Sequence, residues 1–413
     1  MAEHLPVYVG ADTLERLIRF CRERGLSRLT LVADGNTYAA LGQRAEAALK
    51  AAGLDAEAVI LRGDDIGADA ASVYQVLVGL DKGARTFVAT GSGTVTDVTR
   101  FVSHRSNSEF ISLPTAASVD GYTSIGAPMI IDGAKVTVLC QGPIAVFGDL
   151  PALCAAPRTL TAAGFGDLVA KLTSVADWEL GHVLWDEPFD AKIAQRARQA
   201  VWDCVDKLDS LAAAKPEGVE ALFLGLIESG FCMLDFGETR PASGYEHHVS
   251  HFWEMKLLRE GRHSIFHGAK VALGVLASAR LYDSVRRLSA DDVRSRLAAT
   301  PMLSRATEEA TIREGYGEHA RFAIETQEAF LSMTVEQADA LRRRIIDRWG
   351  EVLRIASNTP PAAEIESWLW QMGGATTPKA IGLSTEEYEM GLRAGHYYRA
   401  RFTIKKLTHI LGL

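Results

Sequence analysis

The chain has 413 residues, 47% of them hydrophobic and 23% charged, with a formal net charge of -8. This is the composition of an ordinary globular protein long enough for two or more domains, and not that of a disordered or low-complexity chain. The acidic balance argues against a broad nucleic-acid surface while leaving room for a local basic pocket holding one phosphate.

In chain order, Asp12-Thr13-Leu14-Glu15 has the spacing of a capping box and predicts a helix with Leu14, Leu17, Ile18 and Cys21 on one face. Leu29 to Ala33 is a short β-type run ended by Asp34-Gly35-Asn36, and a helical pattern follows to about Ala52. Ala58 to Leu61, Thr86 to Thr90 and Phe110 to Leu113 are further strands, the second stopping at Gly91-Ser92-Gly93 and the third at Pro114. Strand and helix alternating at this spacing predict βαβ units and a mainly parallel sheet over residues 1–150. Ligands of such sheets bind beyond the carboxyl ends of the strands, which here are Asp34, Gly91 to Thr94 and Thr115 to Asp120.

After about Pro151 the texture changes. Leu160 to Leu184 and Ile193 to Ala214 are rich in alanine and leucine, β-branched runs become scarce, and residues 151–413 are expected to form an all-α domain. Pro216-Glu217-Gly218, Thr359-Pro360-Pro361 and Thr376-Thr377-Pro378 are expected turns within it. The five cysteines are scattered without a C-x-x-C pair, the N-terminal residues lack an apolar signal segment, and no apolar run reaches the ~18 residues of a membrane span. The expected compartment is the cytoplasm.

Four segments carry candidate chemistry. Gly91-Ser92-Gly93-Thr94 turns from a strand into a helix, placing backbone N–H groups where a pyrophosphate could bind, with Asp97 one turn further on. It lacks the G-x-G-x-x-G spacing, and alone such a turn is more often only a turn. Pro114 to Tyr122 offers small hydroxyl side chains and Asp120, which could accept a substrate hydroxyl or simply sit in a polar loop. Asp167 precedes an amphipathic stretch and could be a helix N-cap or a metal ligand. His247 and His251 stand at i and i+4, on one helical face, and five of the chain's 11 histidines lie between 247 and 267. Two imidazoles and a carboxylate make a three-ligand catalytic site with an open position, whereas a structural zinc would be closed by a fourth ligand.

In combination and in this order, Pro114 to Tyr122, Ala162 to Asp167, Ser243 to Glu254 and His267-Gly268 resemble the glycerol-1-phosphate dehydrogenase family, within the group that also holds glycerol dehydrogenase, iron-containing alcohol dehydrogenases and dehydroquinate synthase. The resemblance runs from Val7 to about Gly274 and continues as a general helical likeness to the longer bacterial branch. It implies a Rossmann-like α/β domain followed by an all-α domain. It implies Asp167, His247 and His267 as ligands of one divalent metal, zinc first, with nickel or iron as alternatives. His251 would sit close to substrate and nicotinamide, and His248 would point away. Gly91, Ser92, Gly93 and Thr94, with Asp97, Thr115 and Ser118, would line the cofactor, and Asp120 would lie near the substrate. Ser92 stands where the family commonly has a third glycine.

The expected reaction is metal-assisted hydride transfer between NAD(P)H and dihydroxyacetone phosphate or a related small phosphorylated ketone, with no nucleic acid, no membrane insertion and a homo-oligomer as the assembly. Alternatives are an unphosphorylated polyol dehydrogenase, a cyclase of the dehydroquinate synthase kind, and a metal-binding paralogue without hydride chemistry. Asp34 at its strand end could take the adenosine ribose hydroxyls and repel a 2′-phosphate, giving a preference for NAD(H) with NADP(H) also accepted; its bland alternative is a cap on the following turn. Lys135, Lys171, Arg240 and Lys270 lie close in sequence to the motif segments and could meet a substrate phosphate.

Overall fold

The computed structural model describes residues 5–63, 65–131, 134–262 and 265–413. Its strands are β1 (Val7–Gly10), β2 (Arg28–Asp34), β3 (Asp55–Leu61), β4 (Thr86–Gly91), β5 (Phe110–Pro114), β6 (Gly126–Ile131), β7 (Ala134–Leu139) and β8 (Val146–Asp149). Between them run α1 (Thr13–Glu23), α2 (Gly35–Thr37), α3 (Gln43–Ala51), α4 (Ala70–Val78) and α5 (Gly93–Arg105). Six strands form one sheet in the order β1-β8-β5-β4-β2-β3, every pair parallel. The short β6/β7 pair is antiparallel and separate.

Alternate side chains of these strands feed two cores, which is why the runs are continuously apolar. Leu31, Val88 and Ile111 pack with Leu17 and Cys21 of α1 and Leu49 of α3. Val32, Phe87 and Ala89 pack with Val76 of α4 and Val95, Val98 and Val102 of α5. Each buried Val, Leu, Ile or Phe among them contributes roughly 1.5–3 kcal/mol.

The strand order fixes where a ligand can bind. From β2 the chain goes outward to β3, returns across β2 to β4, and then continues in the opposite direction to β5 and β8. The order therefore reverses between β2 and β4, and the carboxyl ends of those two strands are Asp34 and Gly91. In open parallel sheets this is the crevice that takes the ligand.

The remaining helices include α6 (Leu150–Cys154), α7 (Arg158–Trp185), α8 (Ala191–Val205), α9 (Leu208–Ala212), α10 (Pro216–Phe236), α11 (Tyr245–Arg259) and α12 (His267–Arg286). Further helices carry the chain to Ile410. Packing divides the chain into two compact units, residues 1–168 with 202–237 and residues 169–201 with 238–413. The compositional change after Pro151 follows β8 directly. Packing cuts elsewhere, because the start of α7 and the whole of α10 cluster with the sheet-bearing unit. In the second unit, Leu180, Val249, Trp253, Leu273 and Ile312 share one helical core. Among the described residues no helix is long and apolar enough to cross a membrane.

Some local expectations fail for identifiable reasons. Asp12 precedes α1 but makes no capping bond; its carboxylate is taken by the Tyr8 hydroxyl and by Arg16 at 2.9 Å. Pro216 is not a turn but the first residue of α10, where a missing N–H costs nothing. Ile193 to Ala214 is broken into α8 and α9.

Candidate functional site

At the carboxyl edge of the sheet, Gly91 ends β4 and Ser92 is the N-cap residue of α5 without a side-chain capping bond. A Cβ on Gly91 would meet the Val95 side chain at 2.6–2.9 Å, so the tight entry into α5 requires glycine there. A Cβ on Gly93 would only touch the Val119 methyls at 3.6–3.8 Å. Thr94 follows it in the first turn of α5. The 115–120 loop runs alongside: the Thr115 N–H donates to the Gly91 carbonyl at 3.3 Å, and Thr115 and Ser118 are both buried. Ser118 Oγ lies 3.2 Å from the Tyr122 hydroxyl, which donates to the Ala116 carbonyl.

Asp34 caps the turn after β2. Its Oδ1 accepts from the Thr37 N–H at 2.8 Å, and the Thr37 hydroxyl accepts from the Asp34 N–H at 2.9 Å. The capping alternative is thus realised, and it leaves Asp34 at the strand end where the order reverses. Asp97 pairs with Arg100 at 2.8 Å. Arg100 is wholly buried and also donates to the carbonyls of Gly121 and Gly126, at 2.6 and 3.0 Å. Burial pushes the Asp97 carboxyl up to about 6, with Arg100 and Lys135 opposing. Asp97 therefore serves as the counter-charge that lets Arg100 knit the 121–126 segment.

Asp167 lies in the middle of α7, nine residues past its start at Arg158, so the N-cap alternative is excluded. It is fully buried, and its Oδ2 accepts the Asp120 N–H at 3.1 Å. The Asp120 carboxylate in turn accepts from Ser229 Oγ at 2.9 Å. The first turns of α7 reach the 115–120 loop through Gly164, where a Cβ would lie 2.8–3.0 Å from backbone atoms of Ala117 and Ser118.

Among the described residues, Asp167, His247 and His267 each offer a ligand atom, and the three atoms lie within 4.8 Å of one another. His247 is in the first turn of α11 and His267 opens α12, with ring centroids 5.3 Å apart. His247 Nδ1 lies 2.9 Å from a carboxylate oxygen of Glu246, leaving Nε2 for a metal. Glu246 is itself pinned, accepting from the Gly244 N–H at 2.6 Å and from Thr173 Oγ1 at 2.9 Å. One carboxylate, two imidazoles and a buried outer carboxylate fit a divalent cation of catalytic type.

Behind Glu246 stands a second buried carboxylate, Asp177, which accepts from the Tyr245 and Ile404 N–H groups and the Tyr282 hydroxyl at 2.7–2.8 Å. Burial and then the Glu246 charge push the Asp177 carboxyl above the usual carboxylate range. Sequence reasoning missed both carboxylates; Glu246 stood beside His247, but nothing local says which neighbour of a histidine its ring will bond.

His251 sits close to the pair, with ring centroids 6.3 Å from His247 and 5.7 Å from His267. Its ring stacks on Tyr398 at 4.9 Å and its Nδ1 lies 3.6 Å from Glu254. Burial pushes it down to about 4 against the pull of Glu254, so the imidazole is neutral at pH 7. His248 is fully buried with neither ring nitrogen hydrogen-bonded, away from the cluster of ligand atoms. His263 lies outside the described residues.

The four cations expected near a phosphate are placed differently. Arg240 pairs with Glu187 and Glu238, and Lys270 donates to Glu254 and to the Ile265 carbonyl, so both are committed to protein acceptors. Lys171 is fully buried in α7, and Lys135 lies on β7 where its charge bears on Asp97.

Residues 8–157 match the iron-containing alcohol dehydrogenase family. The glycerol-1-phosphate dehydrogenase [NAD(P)+] of Halalkalibacterium halodurans is 36% identical over 399 residues, covering 96% of this chain and 90% of that protein. The protein of the same name from Geobacillus stearothermophilus is 34% identical over 400 residues, covering 96% and 90%. A crystal structure of glycerol dehydrogenase from Schizosaccharomyces pombe superposes with a TM-score of 0.63 at 15% identity, covering 99% of this chain and 88% of that one, a likeness of fold.

Proposed function

We propose that this chain, which belongs to the glycerol-1-phosphate dehydrogenase family, reduces dihydroxyacetone phosphate, or a close phosphorylated ketone, with NADH in a metal-assisted reaction. NAD(P) and a divalent metal both fit that family of oxidoreductases. The observation that carries the reading is the convergence of Asp167, His247 and His267. A divalent cation supplies Lewis-acid polarisation of a ketone oxygen, and a reduced nicotinamide supplies the hydride. Zinc is our first choice of metal, with nickel or iron as the alternatives.

The chain's own residues do the rest. Asp167, His247 and His267 hold the metal, and Glu246 fixes the His247 ring. Gly91 to Thr94 present the N-terminus of α5 to the cofactor's pyrophosphate, with Thr115 and Ser118 alongside and Asp97 behind them as the partner of Arg100. His251, neutral at pH 7, can accept a proton from the alcohol or return one taken from water. Asp120 faces the substrate from the same loop. The cysteines are scattered without a C-x-x-C pair and three of them are buried, which supports a reducing compartment and so the cytoplasm. Self-association to a homo-oligomer is expected and is read by light scattering.

The substrate is tested by comparing two ketones in the metal-loaded enzyme. A phosphate anchored away from the reacting carbon supplies binding energy that also positions that carbon. Dihydroxyacetone phosphate should exceed dihydroxyacetone in kcat/KM by at least about tenfold, roughly 1.4 kcal/mol. Equal efficiencies would move the protein to the unphosphorylated polyol class.

Cofactor choice is tested at Asp34. Asparagine keeps an oxygen that can accept from the Thr37 N–H, so the cap survives, while the charge that would repel a 2′-phosphate is removed. Wild type should prefer NADH, and Asp34→Asn should narrow the NADH/NADPH ratio by at least about threefold with little change in Tm. A wild-type preference for NADPH, or an unmoved ratio, would remove Asp34 from the cofactor site.

A further inference from the structure

We propose that Arg399 holds the phosphate of the substrate beside His251. This rests on the reading above that the substrate is a phosphorylated ketone, and it names a cation outside all the motif segments. Tyr398 and Arg399 follow the 3-10 turn Gly395–Tyr397 and precede the last helix, Ile404–Ile410. The Tyr398 ring stacks on His251 at 4.9 Å with 27° between planes, and the Arg399 guanidinium carbon lies 5.6 Å from the same ring. Stacking on an aromatic face restrains a side chain that is otherwise free to wander. The backbone is also held, because the Arg399 carbonyl accepts from Gln327 Nε2 at 2.7 Å and from the Arg401 N–H at 2.8 Å.

Arg399 differs from its neighbours in what it does not bond. Arg401 donates to the Ser243 carbonyl and to Thr239, and Arg240 is held by Glu187 and Glu238. Arg399 Nε is buried without a hydrogen-bond partner, and among the described residues no carboxylate pairs with its guanidinium. A buried donor left unpaired is costly, and a planar fork of N–H groups matches two phosphate oxygens. A phosphate there would satisfy the donor, balance the charge, and leave the rest of a three-carbon ketone pointing along the His251 face.

The test measures kcat/KM with NADH for dihydroxyacetone phosphate and dihydroxyacetone, and inhibition of dihydroxyacetone reduction by inorganic phosphate, in metal-loaded wild type, Arg399→Gln and Arg399→Lys. The efficiency ratio of the two ketones should fall at least about twentyfold in Arg399→Gln and less in Arg399→Lys, which keeps the charge but loses the fork. Phosphate inhibition should weaken in the same order. A wild-type ratio above tenfold that stays unmoved in Arg399→Gln overturns the assignment and leaves the phosphorylated substrate standing. A wild-type ratio near one overturns both. Should Arg399→Gln fail to fold by circular dichroism, Arg399→Lys decides: a drop of at least about threefold supports the assignment and a wild-type ratio overturns it.

Discussion

Replacing His247 with alanine should strip the enzyme of most of its bound divalent metal and lower kcat/KM for the ketone at least about a thousandfold, roughly 4 kcal/mol. The expectation follows from the count of donors. Asp167, His247 and His267 converge within 4.8 Å, and two remaining ligands chelate a divalent ion far less well than three. The fold should survive, because His247 sits at the edge of a helical core with its own large apolar cluster and the chain has no need of a metal staple. Glu246→Gln should have a smaller effect, about 10–100-fold on metal affinity, because it disturbs the orientation of the His247 ring and not a ligand atom. His248→Ala serves as the neighbour control and should retain its metal, since its ring nitrogens take no part in the cluster. Metal content by mass spectrometry of each purified variant decides the matter, and full occupancy in His247→Ala would remove this histidine from the ligand set.

The alternation of strand and helix and the mainly parallel sheet were readable because each βα unit writes its own local signals. Apolar runs such as Leu29 to Ala33 and Thr86 to Thr90 end at glycine or aspartate, and the ends of those runs are the ends of β2 and β4 in the fold. The i and i+4 placement of His247 and His251 was readable for the same reason, since helical periodicity alone puts them on one face. Short strands β1 and β8 and the antiparallel β6/β7 pair were not anticipated. They are four to six residues long, and β1 finds its partner only across some 140 residues of chain. Asp12 shows the limit of a local motif: the capping-box letters are present, but Tyr8 and Arg16 compete for the same carboxylate. Asp177 and Arg399 were invisible for a related reason. Their partners, Ile404 and Tyr282 in one case and the Tyr398–His251 stack in the other, are fixed by tertiary packing, and the sequence around them reads as an ordinary helix and an ordinary loop.

The glycine at 274 carries the other large expected effect. Intrinsic preference says that Gly274→Ala should stabilise α12, by about 1 kcal/mol, because alanine loses less backbone entropy in a helix interior. Packing says the reverse. A Cβ at 274 would fall inside van der Waals contact of the Glu246 backbone, 2.9 Å from its Cα and 3.0 Å from its carbonyl carbon, and closer still to its oxygen. Backbone atoms of a helix cannot rotate aside as a side-chain tip can, so α11 and α12 must separate at this point, at a cost of about 1–3 kcal/mol. Glu246 holds the ring of His247 on α11, and His267 opens α12 two turns before Gly274. The clash therefore lands on the spacing between two of the three proposed ligands. We expect Gly274→Ala to lower Tm by several degrees and to weaken metal affinity at least tenfold, about 1.4 kcal/mol, with a larger loss in Gly274→Val. The measurement is metal affinity by competition with a chelator, taken beside the thermal melt. A variant that melts earlier but binds metal as wild type would show that α11 and α12 yield elsewhere and that the ligand spacing does not depend on this contact. A variant that melts later would mean that helix propensity outweighs the clash.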